Sequence, residues 1–309
     1  MKWRGVMPAI TTCFDESLRV DHGFLAEHCR WLIDNGCTGI VALGSLGEGA
    51  TLSFDEKLAV VRTCINAVRG RAPVVASISS LSTAESVALA KGAADLGCDA
   101  LMVLPPYVYQ GDAREMMAHI SAVLRATPLS TMLYNNPIAY GTDFLPEQIA
   151  QLAAEHSNLH AVKESSADVR RVSAIRALLN GGMQVFVGVD DAIVEALGVG
   201  AVGWIAGLVN ALPRESVDLF EYATKGDREK ALELYYWFLP LLRMDTVPKF
   251  VQLIKLVQEI VGMGNSRVRP PRLQLVGKEL EETRAIVKQA LANRPKVTAG
   301  SSAAAALQR

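Results

Sequence analysis

Aromatic residues make up only 6% of this 309-residue chain, and no run of 18 consecutive apolar residues occurs in it. A membrane-spanning helix needs about 20 such residues, so no membrane partner is expected. Residues 1–20 lack the long apolar core of a secretory leader. Cysteine is sparse too: Cys13, Cys29, Cys37, Cys64 and Cys98 are odd in number and form no CxxC pair. That usage fits reduced, buried thiols and a cytoplasmic location. Neither sign of charge dominates, with 31 Lys and Arg against 32 Asp and Glu, a net charge of −1 and a pI near 6.5. Without a basic stripe, nucleic acid is not an expected partner. The five histidines (His22, His28, His119, His156 and His160) show no metal-ligand spacing, which argues against a metal-dependent aldolase. No Walker loop and no GxSxG elbow occur.

Half of the residues are hydrophobic, enough for one large core. Short apolar runs rich in Val, Ile, Leu and Ala recur at Val6–Thr11, Thr38–Leu43, Pro73–Ser77, Asp99–Leu104, Ser130–Tyr134, Leu159–Lys163, Gln184–Gly188 and Ala201–Ile205. None shows clean polar alternation, as expected of parallel strands buried on both faces. Amphipathic helical segments lie between them at Asp21–Asn35, Ser53–Val68, Ser82–Leu96, Pro146–Glu155 and Asp168–Asn180. Ser53 and Glu56 form a capping-box pair, and Gly36, Gly97 and Gly181 stand at helix stops. Strands alternating with helices in this number predict a (β/α)8 TIM barrel over residues 1–212. An open doubly wound sheet would carry a glycine-rich loop after its first strand, where Thr11-Thr12-Cys13-Phe14 stands instead. Helical patterns at Pro213–Lys225, Asp227–Met263 and Arg272–Ala292 predict a small C-terminal helical layer over 213–292, followed by a mobile tail at 293–309.

In such a barrel, chemistry gathers where the strands end. The sixth strand ends on Lys163, after Ala161 and Val162 and before a Glu-Ser-Ser turn. Burial there favours the neutral amine, a nucleophile suited to Schiff-base formation with a ketone. Taken by itself, the same segment fits a strand-end lysine that reaches water. Gly44-Ser45-Leu46-Gly47-Glu48 follows the second strand, and its N–H groups suit a carboxylate, just as they would suit an ordinary turn. Tyr134-Asn135-Asn136-Pro137 ends the fifth strand with a phenol that can act as acid and base or serve as a satisfied core tyrosine. Gly188-Val189-Asp190-Asp191 follows the seventh strand, Ile205-Ala206-Gly207 the eighth, and the aromatic loop Pro105-Pro106-Tyr107-Val108-Tyr109 the fourth.

Four of these groups, Gly44-Ser45-Leu46-Gly47-Glu48, Tyr134-Asn135-Asn136-Pro137, Lys163-Glu164 and Gly188-Val189-Asp190-Asp191, in order and in spacing over residues 4–290, resemble the dihydrodipicolinate synthase/N-acetylneuraminate lyase family of Schiff-base class I aldolases. The resemblance implies that Lys163 attacks the keto carbon of pyruvate or a related 2-oxo acid. It implies that Tyr134 shuttles protons and that Ser45 stands in a hydroxyl relay to it. Backbone N–H groups of Ser45 and Leu46 would hold the substrate carboxylate, with Gly188 and Ile205 around the imine and Tyr107 near the substrate. It also implies a homotetramer built as a dimer of dimers and no cofactor beyond the covalent imine on Lys163.

Three positions depart from the family pattern. Leu46 replaces a hydroxyl residue, and Val108 stands where a tyrosine is lent across a dimer interface. Ala139 stands where the synthase has an arginine for the carboxylate of aspartate semialdehyde. Without that bidentate clamp, semialdehyde binding should be weak. The expected function is therefore an aldolase, dehydratase or deaminase of a small 2-oxo acid. Candidate substrates are 4-hydroxy-2-oxoglutarate, a hydroxyproline-pathway intermediate and a 2-keto-3-deoxy sugar acid. The alternatives are dihydrodipicolinate synthase, N-acetylneuraminate lyase, and a regulatory barrel that forms the imine without turnover.

Overall fold

A computed structural model describes residues 1–296 of the chain. Its elements run β1 (Gly5–Pro8), α1 (His22–Asp34), β2 (Ile40–Ala42), α2 (Phe54–Val68), β3 (Val74–Ile78), α3 (Thr83–Asp95), β4 (Ala100–Val103) and α4 (Ala113–Ala126). They continue with β5 (Ser130–Asn135), α5 (Pro137–Tyr140), α6 (Pro146–Glu155), β6 (Leu159–Glu164), α7 (Arg170–Leu178), β7 (Gln184–Val187), α8 (Ile193–Gly198) and β8 (Gly203–Ala206). Last come α9 (Pro213–Lys225), α10 (Arg228–Leu242), α11 (Phe250–Ile260) and α12 (Gly277–Ala292).

The eight strands pair in parallel in the order β1-β8-β7-β6-β5-β4-β3-β2. β1 meets β2 through a parallel bridge between Ala9 and Val41, which closes the (β/α)8 barrel. Because helices cover the outside and side chains fill the inside, nearly every strand residue is buried, as the unbroken apolar runs predict. Gly203 on β8 lies opposite Phe186 on β7, and a Cβ there would come within 2.1 Å of the Phe186 ring. The missing side chain is what lets the aromatic ring fill that layer. Local signals set the helix starts: Ser53 and Glu56 exchange hydrogen bonds across the first turn of α2, and Asp112 and Glu115 do the same for α4. The second pair has the same spacing as the first.

At the C-terminal end the structure departs from a continuous helical pattern over Asp227–Met263. α10 stops at Leu242, a 3₁₀ turn spans Arg243–Asp245, and α11 starts only at Phe250. Pro248 lies in the gap; a proline lacks the backbone donor a helix interior requires. α9 packs against β1 and covers the barrel wall after β8. α11 is almost wholly buried, and its Lys255 reaches back to the barrel. Of the tail expected at 293–309, only residues 293–296 fall within the described part. Among the described residues, no helix is long and apolar enough to cross a membrane.

Candidate active site

β5 and β6 set Tyr134 directly across from Lys163 in the pairing register. Both side chains are buried, at 6% exposure each, and Lys163 Nζ stands 4.0 Å from the centre of the Tyr134 ring. Burial lowers the Lys163 pKa from its ordinary value, against the attraction of Asp245, Tyr140 and Asp190. A lowered pKa enlarges the neutral, nucleophilic fraction of the amine. The same burial pushes the Tyr134 phenol up to about 12, even though Asn136 Nδ2 donates to its oxygen at 3.0 Å. The phenol is therefore protonated at neutral pH and is a proton donor first.

Glycine at the end of β7 makes this arrangement possible. A Cβ on Gly188 would fall 2.2 Å from Lys163 Cε and 2.1 Å from Ser165 Oγ, so any side chain would displace the lysine. Asn135 locks the loop after β5. Its amide donates to Glu164 and Asp143 at 3.1 Å each and accepts from the Phe144 N–H at 2.9 Å. Arg171 then grips Asp143 with two bonds of 2.6 Å. Such a satisfied polar network holds Tyr134 and Lys163 in one geometry.

The loop after β2 contributes the other side. Gly47 and Gly49 are pressed against backbone: added Cβ atoms would lie 2.8 Å from the Ile10 carbonyl and 2.2 Å from the Leu43 carbonyl. Leu46 is buried, and among the described residues neither the Ser45 nor the Leu46 amide donates to a protein acceptor. Adjacent free N–H groups form a cradle for an anion such as a carboxylate. The loop is pinned from beneath by Glu48, which is buried and ion-paired with Lys255 of α11 at 2.6 Å.

Ser45 does not bond Tyr134. Its hydroxyl bonds that of Tyr140, the last residue of α5, whose ring packs edge-on against Tyr134 at a centroid distance of 5.8 Å. Tyr140 thus stands between the two hydroxyls predicted to form a relay. Ile205 is buried at the end of β8. Tyr107 lies half-buried on the loop after β4, where burial and Glu85 raise its pKa. Tyr109 turns aside to Glu115, its phenol donating at 3.0 Å.

Two functional candidates were not visible beforehand. Tyr140 could have been noticed from Pro137 and Gly141, which bracket a single helical turn folding back toward the strand end. Asp245 acts electrostatically on Lys163, Tyr134 and Asp190 from the turn after α10. Pro248 was the signal that the chain breaks there. An open cavity of about 1100 Å³ also exists, lined by Gly5, Thr38, Val74 and Asp99. These residues begin or precede strands, which places it at the barrel's opposite end, where side chains serve stability.

A sequence profile of the dihydrodipicolinate synthetase family matches residues 2–290. The 4-hydroxy-tetrahydrodipicolinate synthase of Methanocaldococcus jannaschii is 32% identical over 273 residues, covering 88% of this chain and 93% of that protein. Among solved structures, a dihydrodipicolinate synthase from Bacillus anthracis superposes with a TM-score of 0.90 at 28% identity, covering 96% of this chain and all of that one. YagE, a prophage protein of Escherichia coli K12 solved in complex with pyruvate, gives 0.88 at 26% identity, with 94% and 99% covered.

Proposed function

The chain belongs to the dihydrodipicolinate synthetase family of lysine Schiff-base lyases, and we propose that it acts on pyruvate or a related small 2-oxo acid through Lys163. The observation that carries this reading is the buried Lys163 amine, 4.0 Å from the centre of the Tyr134 ring with its pKa lowered. Nζ adds to the 2-oxo carbon, and the carbinolamine loses water to give the imine. Tyr134 donates and retrieves the protons, with Tyr140 and Ser45 passing them onward. The Ser45 and Leu46 amides bind the substrate carboxylate, while Gly188 and Ile205 leave room around the imine. Once formed, the iminium draws electrons from the neighbouring carbon, so a proton or a bond can be lost there. The covalent imine replaces any cofactor.

A 4-hydroxy-2-oxo acid, such as 4-hydroxy-2-oxoglutarate, a hydroxyproline-pathway intermediate or a 2-keto-3-deoxy sugar acid, suits this site. The runner-up reading, 4-hydroxy-tetrahydrodipicolinate synthase, is supported by the names of relatives. Against it, Ala139 sits exposed on α5 and offers no cation for a semialdehyde carboxylate. We also propose assembly as a homotetramer, to which exposed Val108, Tyr109 and Ile138 offer apolar surface, and a cytoplasmic setting that suits five free, buried cysteines.

Borohydride reduction with pyruvate, followed by peptide mapping, tests the central step. A pyruvyl adduct on Lys163, absent in Lys163→Ala, is expected. An adduct elsewhere, or none with pyruvate or any of the three acids above, would overturn the assignment.

A further inference from the structure

Two carboxyl groups approach Lys163, and the fold treats them differently. Asp190, wholly buried, accepts from Trp204 Nε1 at 3.0 Å, from the Gly207 N–H at 3.1 Å and from the Leu208 N–H at 2.8 Å. Asp245, partly exposed, has no hydrogen bond or ion pair among the described residues. Its carboxyl is held against the Cα of Gly207, where an added Cβ would fall 2.1 Å from Oδ1. Gly207 follows β8, and Gly188, which supports the Lys163 stem, follows the adjacent β7. The acid and the amine thus rest on glycines of neighbouring strand ends. Beside them Ser165 Oγ lies near the Tyr134 phenol, while Ser77 Oγ, near Gly44 on the opposite loop, is buried and without a hydrogen-bond partner among the described residues. Buried polar atoms that the protein itself leaves unpaired point to a bound polar molecule.

Resting on the Schiff-base reading above, we infer that Asp245 is a catalytic acid that protonates the group leaving carbon 4 of the bound 2-oxo acid. The site then favours elimination of water or an amine over cleavage of the carbon chain. In that step the C3–H proton passes to the tyrosine relay and the imine becomes an enamine. The enamine's electron pair forms the C3=C4 bond as the C4–O or C4–N bond breaks. The leaving atom takes the proton from Asp245, and the products are the unsaturated imine and water or an amine.

The proton is available for a structural reason. Two carboxylates facing one another cannot both ionise cheaply, and N–H donors favour the charged form of the group they bond. All of those donors serve Asp190, so the shared proton resides on Asp245. Burial, then Asp190, push the Asp245 carboxyl well above the usual range, against the pull of Lys163. Removing a general acid typically lowers a rate by about 10²- to 10⁴-fold.

The test uses the full-length protein and Asp245→Asn with three probes: pyruvate, a 2-keto-3-deoxy sugar acid, and the same acid bearing fluorine at carbon 4. D245N should still form the pyruvate adduct on Lys163 and exchange its methyl protons for deuterium, because neither step needs an acid at carbon 4. It should eliminate the hydroxy acid about 100-fold or more slowly, and the fluoro acid, whose leaving group needs no proton, within about tenfold of wild type. Formate rescue of Asp245→Ala provides an independent reading. Full activity of D245N on the hydroxy acid would overturn the inference. So would equal impairment on both acids, loss of the pyruvate adduct together with turnover, or wild-type cleavage to pyruvate without elimination. If the wild type itself forms no adduct with any probe, the Schiff-base reading has failed, and the inference with it.

Discussion

Replacing Tyr140 with phenylalanine separates the proposed proton relay from everything else that residue does. The ring would keep its edge-on contact with Tyr134, at a centroid distance of 5.8 Å. Only the hydroxyl bonded to Ser45 would go. One neutral hydrogen bond contributes about 1 kcal/mol net, which in a chain of this size lowers Tm by about 2 °C. Catalysis should suffer far more. With the link gone, Tyr134 keeps the Asn136 amide, a donor that cannot receive its proton, and the hydroxyl of Ser165, which has no link onward to Ser45. A fall of about 100-fold in imine formation, or about 2.7 kcal/mol in the barrel's first chemical step, is expected. The assay is the rate at which the borohydride-trapped pyruvyl adduct on Lys163 appears after mixing. Ser45→Ala should slow it too, and the double variant should be no slower than Y140F, because both changes cut one chain. Unchanged trapping rates in Y140F alongside a slow Tyr134→Phe would refute the relay. Multiplying effects in the double variant would show that Ser45 and Tyr140 act separately.

Two other perturbations follow from charge pairs. Lys255→Met leaves the buried Glu48 carboxylate without the amine 2.6 Å away, and should cost about 3–5 kcal/mol. Chemical denaturation should show that loss largely restored by adding Glu48→Gln; a lone K255M as stable as wild type would refute the pinning role. Glu56 is held down to about 2, from an ordinary value of 4.5, chiefly by hydrogen bonds from Arg269 and despite some desolvation. A depressed carboxylate stabilises above its unfolded pKa and loses that contribution as pH falls from about 4.5 to about 2. Partial exposure and solvent screening reduce the effect to about 1 kcal/mol. Glu56→Gln should therefore be less stable than wild type at pH 7 and equal to it near pH 2; a gap that persists in acid would contradict the pairing.

Local pattern carried most of the architecture. Buried parallel strands must be apolar on both faces, so the eight runs stand out by composition alone, and Leu159–Lys163 and Gln184–Gly188 match the observed strands to within a residue or two. Short-range signals such as Ser53 with Glu56, and Gly36 after α1, fall where the helices begin and end. A lysine at the end of an apolar run is likewise visible, because its oddity lies in its immediate neighbours.

What the chain order could not reveal was which groups meet. Ser45 and Tyr140 lie 95 positions apart and are joined only because β2 and β5 end at the same mouth. Lys255 and Glu48, 207 positions apart, pair only because α11 is buried against the barrel. Asp245 reaches Lys163 because the chain breaks near Pro248 instead of continuing as one helix. Composition and periodicity specify how each segment hydrogen-bonds and which surface it buries, and that was enough for a TIM barrel with its lysine. Whether a hydroxyl, an amine or a carboxyl finds a partner depends on distances across the closed barrel, and those exist only once all the strands have paired.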